Sequence, residues 1–226
     1  MAGSRGLIVA IDGVIGAGKS TVARAVAADL GYRHLDTGAM YRAVALRASR
    51  QGIRPDDSDQ LLALLDALRL DLAPDEGEGG RISVDGEDVS EAIRSPEVSR
   101  VVGSYADIPA VRRALVQQQQ QMGELGGIVA EGRDMTNVVF PTADLKIYMI
   151  ADLDERARRR HREFTDTGVV ISVEQVRADI ERRDTEDAVR DYGGEGASDF
   201  VELDTTGLDV TAVVKQIISL ALERGA

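Results

Sequence analysis

Residues 13–20 read Gly-Val-Ile-Gly-Ala-Gly-Lys-Ser, and this segment is the strongest indication of the fold class. It matches the pattern G-x-x-x-x-G-K-[ST], in which glycines let consecutive backbone N–H groups face one phosphate. The apolar run Leu7–Ile11 before it predicts a buried strand, and Ser20–Leu30 after it predicts a helix that ends at Gly31. This strand–loop–helix order is the context that a phosphate-binding loop requires, so the sequence predicts a site for the phosphates of ATP.

The residues of this loop have distinct expected roles. We expect Lys19 to reach the β- and γ-phosphates and the Ser20 hydroxyl to contact Mg²⁺. Asp12, directly before the loop, is interpreted as a cap of the loop rather than as a catalytic group. The predicted ATP-binding residues are Gly13, Val14, Ile15, Gly16, Ala17, Gly18, Lys19, Ser20 and Thr21.

The rest of the chain alternates between helical and strand patterns. Period-two alternation with an Asp85-Gly86 turn predicts a small antiparallel module at residues 66–103, inserted into a core of residues 1–65 and 104–226. The alternation of strands with helices in that core is typical of a doubly wound parallel α/β sheet with helices on both faces. The predicted helices are 37–50, 58–68, 109–122, 154–163, 173–183 and 210–224, and the further predicted strands are 127–130, 145–150 and 200–203.

Composition narrows the class of protein. The 226 residues include no cysteine, which excludes disulfides, thiolate metal sites and a cysteine nucleophile. A net charge of −12 disfavours binding to a nucleic-acid polymer, and no apolar stretch approaches the length of a membrane span. We expect a soluble, cytoplasmic and monomeric protein. Only three lysines are present, so most of the positive charge is on arginine, which binds phosphate bidentately.

A second, anionic substrate is suggested by segments rich in arginine. Asp36 or Thr37 is a natural N-cap of the following helix, and Arg42 could reach an anion held at that N-terminus. Arg133 and Asp134 directly follow a buried strand, where open α/β sheets bind ligands, although a plain ion pair would fit the same residues. The arginines of 156–162 and 182–190 fit either a mobile lid over residues 156–190 or a solvated, salt-bridged helix surface.

Several of these segments, taken in order, resemble those of bacterial cytidylate kinases. The matching stretches are IDGVIGAGKST, HLDTGAMYR, VDGEDVSEAIRSPEV, IPAVRRAL, AEGRDMTNVVFPTADLKIYM, DERARRR and the segment 182–190. The similarity extends from about residue 7 to residue 224. The resemblance implies a nucleoside monophosphate kinase that transfers the γ-phosphoryl group of ATP, with Mg²⁺, to CMP or dCMP.

The resemblance also implies roles for individual residues. Arg42, Arg133 and Arg190 match residues that hold the acceptor phosphate, while Asp134 and Arg112 match residues that read the cytosine edge. Arg183 and Asp187 match residues that bind the sugar hydroxyls, and with Lys19 the catalytic set is completed by the lid arginines Arg156, Arg159 and Arg160. The predicted CMP-binding residues are Asp36, Thr37, Arg42, Ser104, Arg112, Arg133, Asp134, Arg183, Asp187 and Arg190.

One position departs from the family pattern. Gly103 stands where the family commonly has a serine that helps to read the base, and Ser104 follows it. Either Ser104 substitutes through a shifted backbone, or base discrimination rests more heavily on Asp134 and Arg112.

Two other functions remain open on the residues alone. One is a P-loop kinase for another small molecule, and the other is a nucleotide-binding regulatory protein without an acceptor. Against the second, the chain has no guanine-reading N-K-x-D motif, and its many arginines suit a second anionic substrate.

Overall fold

A five-stranded parallel sheet forms the centre of the protein. The structure, a computed structural model, describes residues 6–73, 81–166, 168–189 and 199–226. The strands of this sheet are β1 (Ile8–Gly13), β2 (Arg33–Asp36), β6 (Ile128–Glu131), β7 (Leu145–Ile150) and β8 (Val201–Asp204). Their order is β2-β6-β1-β7-β8, so the chain goes from the central strand β1 to the edge strand β2 and then returns across the sheet to β8.

Helices cover both faces of this sheet. Alternate residues of β1 pack on opposite faces: Ile8 and Ala10 lie in one apolar cluster, and Val9 and Ile11 in another. The first face is covered by α2 (Thr37–Arg50), α3 (Ser58–Ala67) and α5 (Pro109–Gly123), and the second by α1 (Lys19–Leu30) and α8 (Val210–Leu222). The predicted doubly wound fold is confirmed.

A small antiparallel sheet lies beside the first cluster. It comprises β3 (Leu70–Ala73), β4 (Arg81–Val84) and β5 (Glu87–Asp88) in that order. Asp85 and Gly86 both have positive φ, 52° and 85°, as the predicted two-residue turn between β4 and β5 requires. Ile82 and Val84 are buried in the same cluster as α2, α3 and α5.

The segment after this small sheet differs from the prediction. A 3₁₀ turn (Ala92–Arg94) leads into an unpredicted helix, α4 (Pro96–Ala106), whose N-terminus is capped by the Ser95 hydroxyl. This helix crosses the boundary that we predicted between residues 103 and 104. Strand β2 was also missed, because Arg33 and His34 interrupt any apolar run that could indicate a strand.

Two further helices form a hairpin beside the sheet. They are α6 (Leu153–Asp166) and α7 (Val173–Val189), both longer than predicted. Ala157, Val176 and Ile180 form a separate small apolar cluster between them. Ile15 of the phosphate loop also packs against this cluster, so the hairpin contacts the loop as well as holding its own two helices together.

Candidate active site

The phosphate loop follows β1 at the carboxyl edge of the sheet. Gly13 has φ 148°, and a Cβ there would lie 2.1 Å from the backbone oxygen of Met149, so no other residue fits. Gly18 caps α1 with φ 90°, in the left-handed region that glycine adopts readily. The predicted residues Gly13 to Thr21 therefore include the end of β1, the loop itself and the first turn of α1. Ser20 and Thr21 are exposed in that first turn.

Lys19 is folded onto the phosphate loop. Its Nζ donates to the backbone oxygens of Gly13 and Val14 at 2.7 and 2.9 Å. Burial, aided by the positive charge of Arg133, lowers the pKa of Lys19 to about 7. The negative charge of a bound phosphate would raise this pKa and favour the protonated lysine.

Ser20 contacts a buried carboxylate that sequence reasoning did not select. Its hydroxyl donates to Oε2 of Glu131 at 2.7 Å, and His34 Nε2 lies 3.1 Å from Oε1. Glu131 is the last residue of β6. An acidic residue at the end of a buried strand was the sequence feature that could have identified it as a site residue. The hydroxyl and the carboxylate, both oxygen ligands, therefore lie together beside the phosphate loop.

Asp12 plays a different part from the one predicted. Its carboxylate does not cap the phosphate loop but accepts from the backbone N–H groups of Met135 and Thr136 and from the Thr136 hydroxyl, at 2.9, 2.8 and 2.7 Å. These groups begin a π-helical turn (Met135–Val139) that follows the Gly-Arg-Asp segment. Such turns occur frequently at functional sites. Asp12 thus fixes this segment next to the phosphate loop.

Two ion pairs occupy the region beyond β6. Arg112 NH2 lies 2.5 Å from Asp134 Oδ2, and burial raises the pKa of Asp134 while Arg112 opposes the rise. Arg133 Nε lies 3.0 Å from Asp187 Oδ2, and its NH1 donates to the backbone oxygen of Gly13 at 3.2 Å. Four of the predicted acceptor residues are therefore brought together, and Arg133 contacts the phosphate loop directly.

The positive charges of three other arginines act on Arg42. Its NH1 donates to Ser99 Oγ at 2.9 Å and to the backbone oxygen of Ile93 at 3.4 Å, which places it against the 3₁₀ turn. Burial lowers the pKa of Arg42; Asp36 raises it, and three further positive charges lower it, those of Arg160, Arg183 and Arg94. Positive charge concentrated in this way is suited to an anion. Arg183 was among the predicted CMP-binding residues, whereas Arg94 was not.

The predicted lid arginines occupy different environments. Arg156 is buried and donates to the backbone oxygen of Ile15 at 3.1 Å and to Asp184 at 2.7 Å. Arg159 donates to the backbone oxygens of Ala17 and Thr205 at 3.4 and 2.6 Å. Both therefore brace the phosphate loop, whereas Arg160 lies at the surface, pairs with Glu163 and covers the Phe164 ring.

The start of α2 and the middle of α4 hold the other predicted residues. Asp36 is the N-cap of α2 and accepts from the N–H of Ala39 at 2.9 Å; burial raises its pKa. The Thr37 hydroxyl donates to the backbone oxygen of Glu131 at 2.7 Å. Helix α4 runs regularly through Gly103 and Ser104, so the helix contains no backbone shift that would bring Ser104 into the position of Gly103.

Arg190, the last of the predicted acceptor residues, lies outside the described residues.

Among the helices of residues 6–73, 81–166, 168–189 and 199–226, none has the length and apolar character of a membrane span. In the same ranges, no group of three or more histidine or acidic side chains is arranged to hold a metal ion.

Comparison with known proteins bears on the whole chain. The family model for cytidylate kinase matches residues 9–223. A cytidylate kinase of Geobacter sulfurreducens is 43% identical over 224 residues, which cover 99% of this chain and 96% of that protein. A bifunctional pantoate ligase/cytidylate kinase of Synechococcus sp. (strain RCC307) is 46% identical over 97% of this chain, which spans 43% of its length.

A solved structure also supports the fold. An uncharacterized protein from Eubacterium ventriosum superposes with a TM-score of 0.51 at 12% identity, covering 95% of this chain and 98% of that one. At that identity the likeness concerns the fold alone. The sequence comparisons are more specific, because the family model matches residues 9–223 and the relatives are 43% and 46% identical. This chain belongs to the cytidylate kinase family.

Proposed function

We propose that this protein transfers the γ-phosphoryl group of ATP to the 5′-phosphate of CMP or dCMP, giving ADP and CDP or dCDP. The observation that carries the proposal is the Arg112–Asp134 pair, which lies beside the phosphate loop at the carboxyl edge of β6. A carboxylate accepts from the exocyclic amine of cytosine and finds no donor at the corresponding oxygen of uracil. The pair therefore provides a reason for cytosine selectivity in addition to the family relationship.

The transfer needs no covalent enzyme intermediate. An oxygen of the acceptor 5′-phosphate attacks the γ-phosphorus in line, while the bond to the β–γ bridging oxygen breaks and ADP leaves with the electron pair. Lys19 moves from the loop carbonyls to the β- and γ-phosphates and neutralises developing charge. Arg42, Arg133 and Arg190 hold the acceptor phosphate, and Arg183 binds the sugar hydroxyls. We assign Asp187 to the sugar hydroxyls, and its pair with Arg133 would be exchanged on binding.

Ser20 and Glu131 are suited to hold Mg²⁺. Their oxygens are 2.7 Å apart at the start of α1, and Mg²⁺ prefers one or two protein oxygens together with substrate phosphates. The ion would supply charge neutralisation on the transferring phosphates.

The remaining structural assignments are also proposals. We propose that the small sheet and the residues up to 103 form an NMP-binding module, and that residues 156–190, which include most of the α6–α7 hairpin, form a lid that excludes water. Arg156 and Arg159 would then couple lid position to loop geometry, and Arg160 is the lid arginine able to turn inward by exchanging Glu163 for phosphate.

We further propose a monomer in the cytoplasm. Among the described residues, the exposed large apolar side chains are few, and only two of them are neighbours in the sequence: Leu62, Leu125, Val169, Val170, Val210 and Leu222. Light scattering coupled to size-exclusion chromatography tests the oligomeric state.

A coupled ADP-release assay tests the function. CMP, dCMP, UMP, AMP and shikimate are offered separately with ATP and Mg²⁺. We expect rapid turnover with CMP or dCMP and much slower turnover with the others. Equal rates with all acceptors, or ATP hydrolysis that no acceptor accelerates, would contradict the proposal.

A further inference from the structure

His34 makes a contact that the phosphoryl transfer itself does not require. Its Nε2 lies 3.1 Å from Glu131 Oε1, and both side chains are only 5% exposed. A carboxylate can only accept hydrogen bonds, so Nε2 carries the proton and donates. The other carboxylate oxygen, Oε2, accepts from Ser20 Oγ at 2.7 Å. The two oxygens of Glu131 thus have different partners on different elements, His34 on β2 and Ser20 on α1.

The orientation of the Glu131 carboxylate depends on these two contacts. Glu131 ends β6, and the next residue, Gly132, leads directly into the Arg133–Asp134 segment. The backbone oxygen of Glu131 is held by Thr37 at 2.7 Å, which fixes the main chain but not the side chain. A side chain with three rotatable bonds needs a second contact to keep one oxygen directed at Ser20. His34 supplies that contact from within the buried side of the site.

We propose that His34 is a positioning residue, which holds Glu131 in the rotamer that presents one oxygen beside Ser20 and so sets the affinity for the divalent cation bound with the nucleotide. This inference rests on the proposed function, because it assumes that Ser20 and Glu131 hold Mg²⁺. Groups that orient a metal-binding side chain by a hydrogen bond typically change metal affinity by about 10- to 100-fold when they are removed.

Two substitutions separate positioning from packing. His34→Leu fills similar space and removes the donor, whereas His34→Gln keeps an N–H donor that can reach Glu131. Tyr105→Phe is the control: it removes a buried hydrogen bond from the Tyr105 hydroxyl to the backbone oxygen of Ile53, 2.7 Å long and outside the site. Thermal unfolding of all three variants reports any purely structural cost.

The measurement is the affinity for ADP by titration calorimetry, first in EDTA and then at increasing Mg²⁺ concentrations. We expect His34→Leu to bind ADP without metal as the original protein does, but to require roughly 10-fold more Mg²⁺ for the same gain in affinity. His34→Gln should recover most of that gain, and Tyr105→Phe should show the original Mg²⁺ dependence even if its melting temperature falls.

The outcomes distinguish this inference from the proposed function. An unchanged Mg²⁺ dependence in His34→Leu would overturn the positioning role, whatever happens to stability. The same is true if His34→Gln is as impaired as His34→Leu. If the original protein itself shows no effect of Mg²⁺ on ADP binding or on CMP phosphorylation, the proposed metal site fails, and the inference fails with it.

Discussion

Asp12 and Thr136 lie 124 residues apart in the chain, yet the Asp12 carboxylate accepts both the backbone N–H and the hydroxyl of Thr136, at 2.8 and 2.7 Å. The residue before the phosphate loop thereby holds a residue just beyond the segment that we assign to cytosine reading. The distance between the proposed donor and acceptor sites is therefore fixed by a buried charge-assisted contact.

Removing this charge should destabilise the protein. Asp12→Asn keeps the shape but turns one acceptor into a donor that faces another donor. We expect the free energy of unfolding to fall by about 2–4 kcal/mol, measured by urea denaturation. Asp56→Asn, at an exposed pair with Arg54, is the control and should change it by less than about 1 kcal/mol. Equal losses in the two variants would show that the buried contact has no special weight.

Nucleotide binding should take up a proton at Lys19. With its pKa lowered to about 7, the side chain is mostly neutral at pH 8 in the free protein. The charge of a triphosphate raises the pKa, so binding draws a proton from the buffer. Calorimetry in two buffers of different ionisation enthalpy should detect up to about one proton at pH 8. Lys19→Met should abolish this uptake and reduce kcat by about 10²-fold or more; uptake that survives the substitution would refute the assignment.

The same group should shape the pH dependence of stability. An ordinary lysine has a pKa of 10.5, whereas the pKa of Lys19 is about 7 in the folded protein, so the unfolded chain binds more protons between these values. The contribution of Lys19 to the free energy of unfolding therefore rises as the pH increases from about 7 to about 10.5. Urea denaturation across this range should show a steeper rise for the original protein than for Lys19→Met. Parallel curves would mean that Lys19 keeps its ordinary pKa when folded.

Base selectivity should depend on the charge of Asp134. Asp134→Asn replaces a pure acceptor with an amide that can also donate to the uracil carbonyl. We expect the ratio of kcat/KM for CMP to that for UMP to fall by about 10-fold or more, with KM for ATP little changed. An unchanged ratio would remove Asp134 from base reading.

Arg94 should contribute to holding the acceptor phosphate. It follows Ile93, whose carbonyl contacts Arg42, and its charge lowers the pKa of Arg42. We expect Arg94→Met to raise KM for CMP by about 5- to 10-fold with little effect on KM for ATP. Arg100→Met, another exposed arginine of the same region, is the matched control. Similar effects of the two substitutions would indicate a general loss of positive charge rather than a specific contact.

Gly103 can be replaced by the serine that the resemblance suggests. A Cβ at this position meets no atom within 4 Å, and the residue is in the interior of α4. Gly103→Ser should therefore stabilise the protein by roughly 0.5 kcal/mol, because serine has the higher helix propensity. We also expect a lower KM for CMP. A stability gain without any change in KM would leave base reading to Asp134 and Arg112.

The features that could be predicted from the sequence are those whose signals are local. The loop around Lys19 and the apolar strands of the core carry their pattern within a few residues, and these predictions are confirmed for the fold. Strand β2 has no such pattern, since it becomes a strand only by pairing with β6, where His34 aligns with Val129. This segment is therefore a strand because it pairs with β6, and not because its own sequence has the periodicity of a strand.

Side-chain partners across long sequence separations were the least predictable part. The contact of Ser20 with Glu131 spans 111 residues, and the identity of the residues alone does not reveal it. A run of arginines likewise does not indicate which members turn inward: Arg156 is buried against the phosphate loop, whereas Arg160 is at the surface. The positions of these arginines along the helix do not predict which of them is buried, because burial depends on what α6 packs against.

The small sheet shares its apolar cluster with the helix that carries Arg42. Ile82, Val84 and Ile93 pack together with Val44 of α2 rather than forming a separate interior. Excising residues 66–103, the proposed NMP-binding module, would therefore expose part of the main core, so we do not expect this segment to fold when it is transplanted alone. We therefore expect a substitution that changes the packing beneath the small sheet to alter both the stability of the protein and, through α2 and Arg42, its affinity for the acceptor.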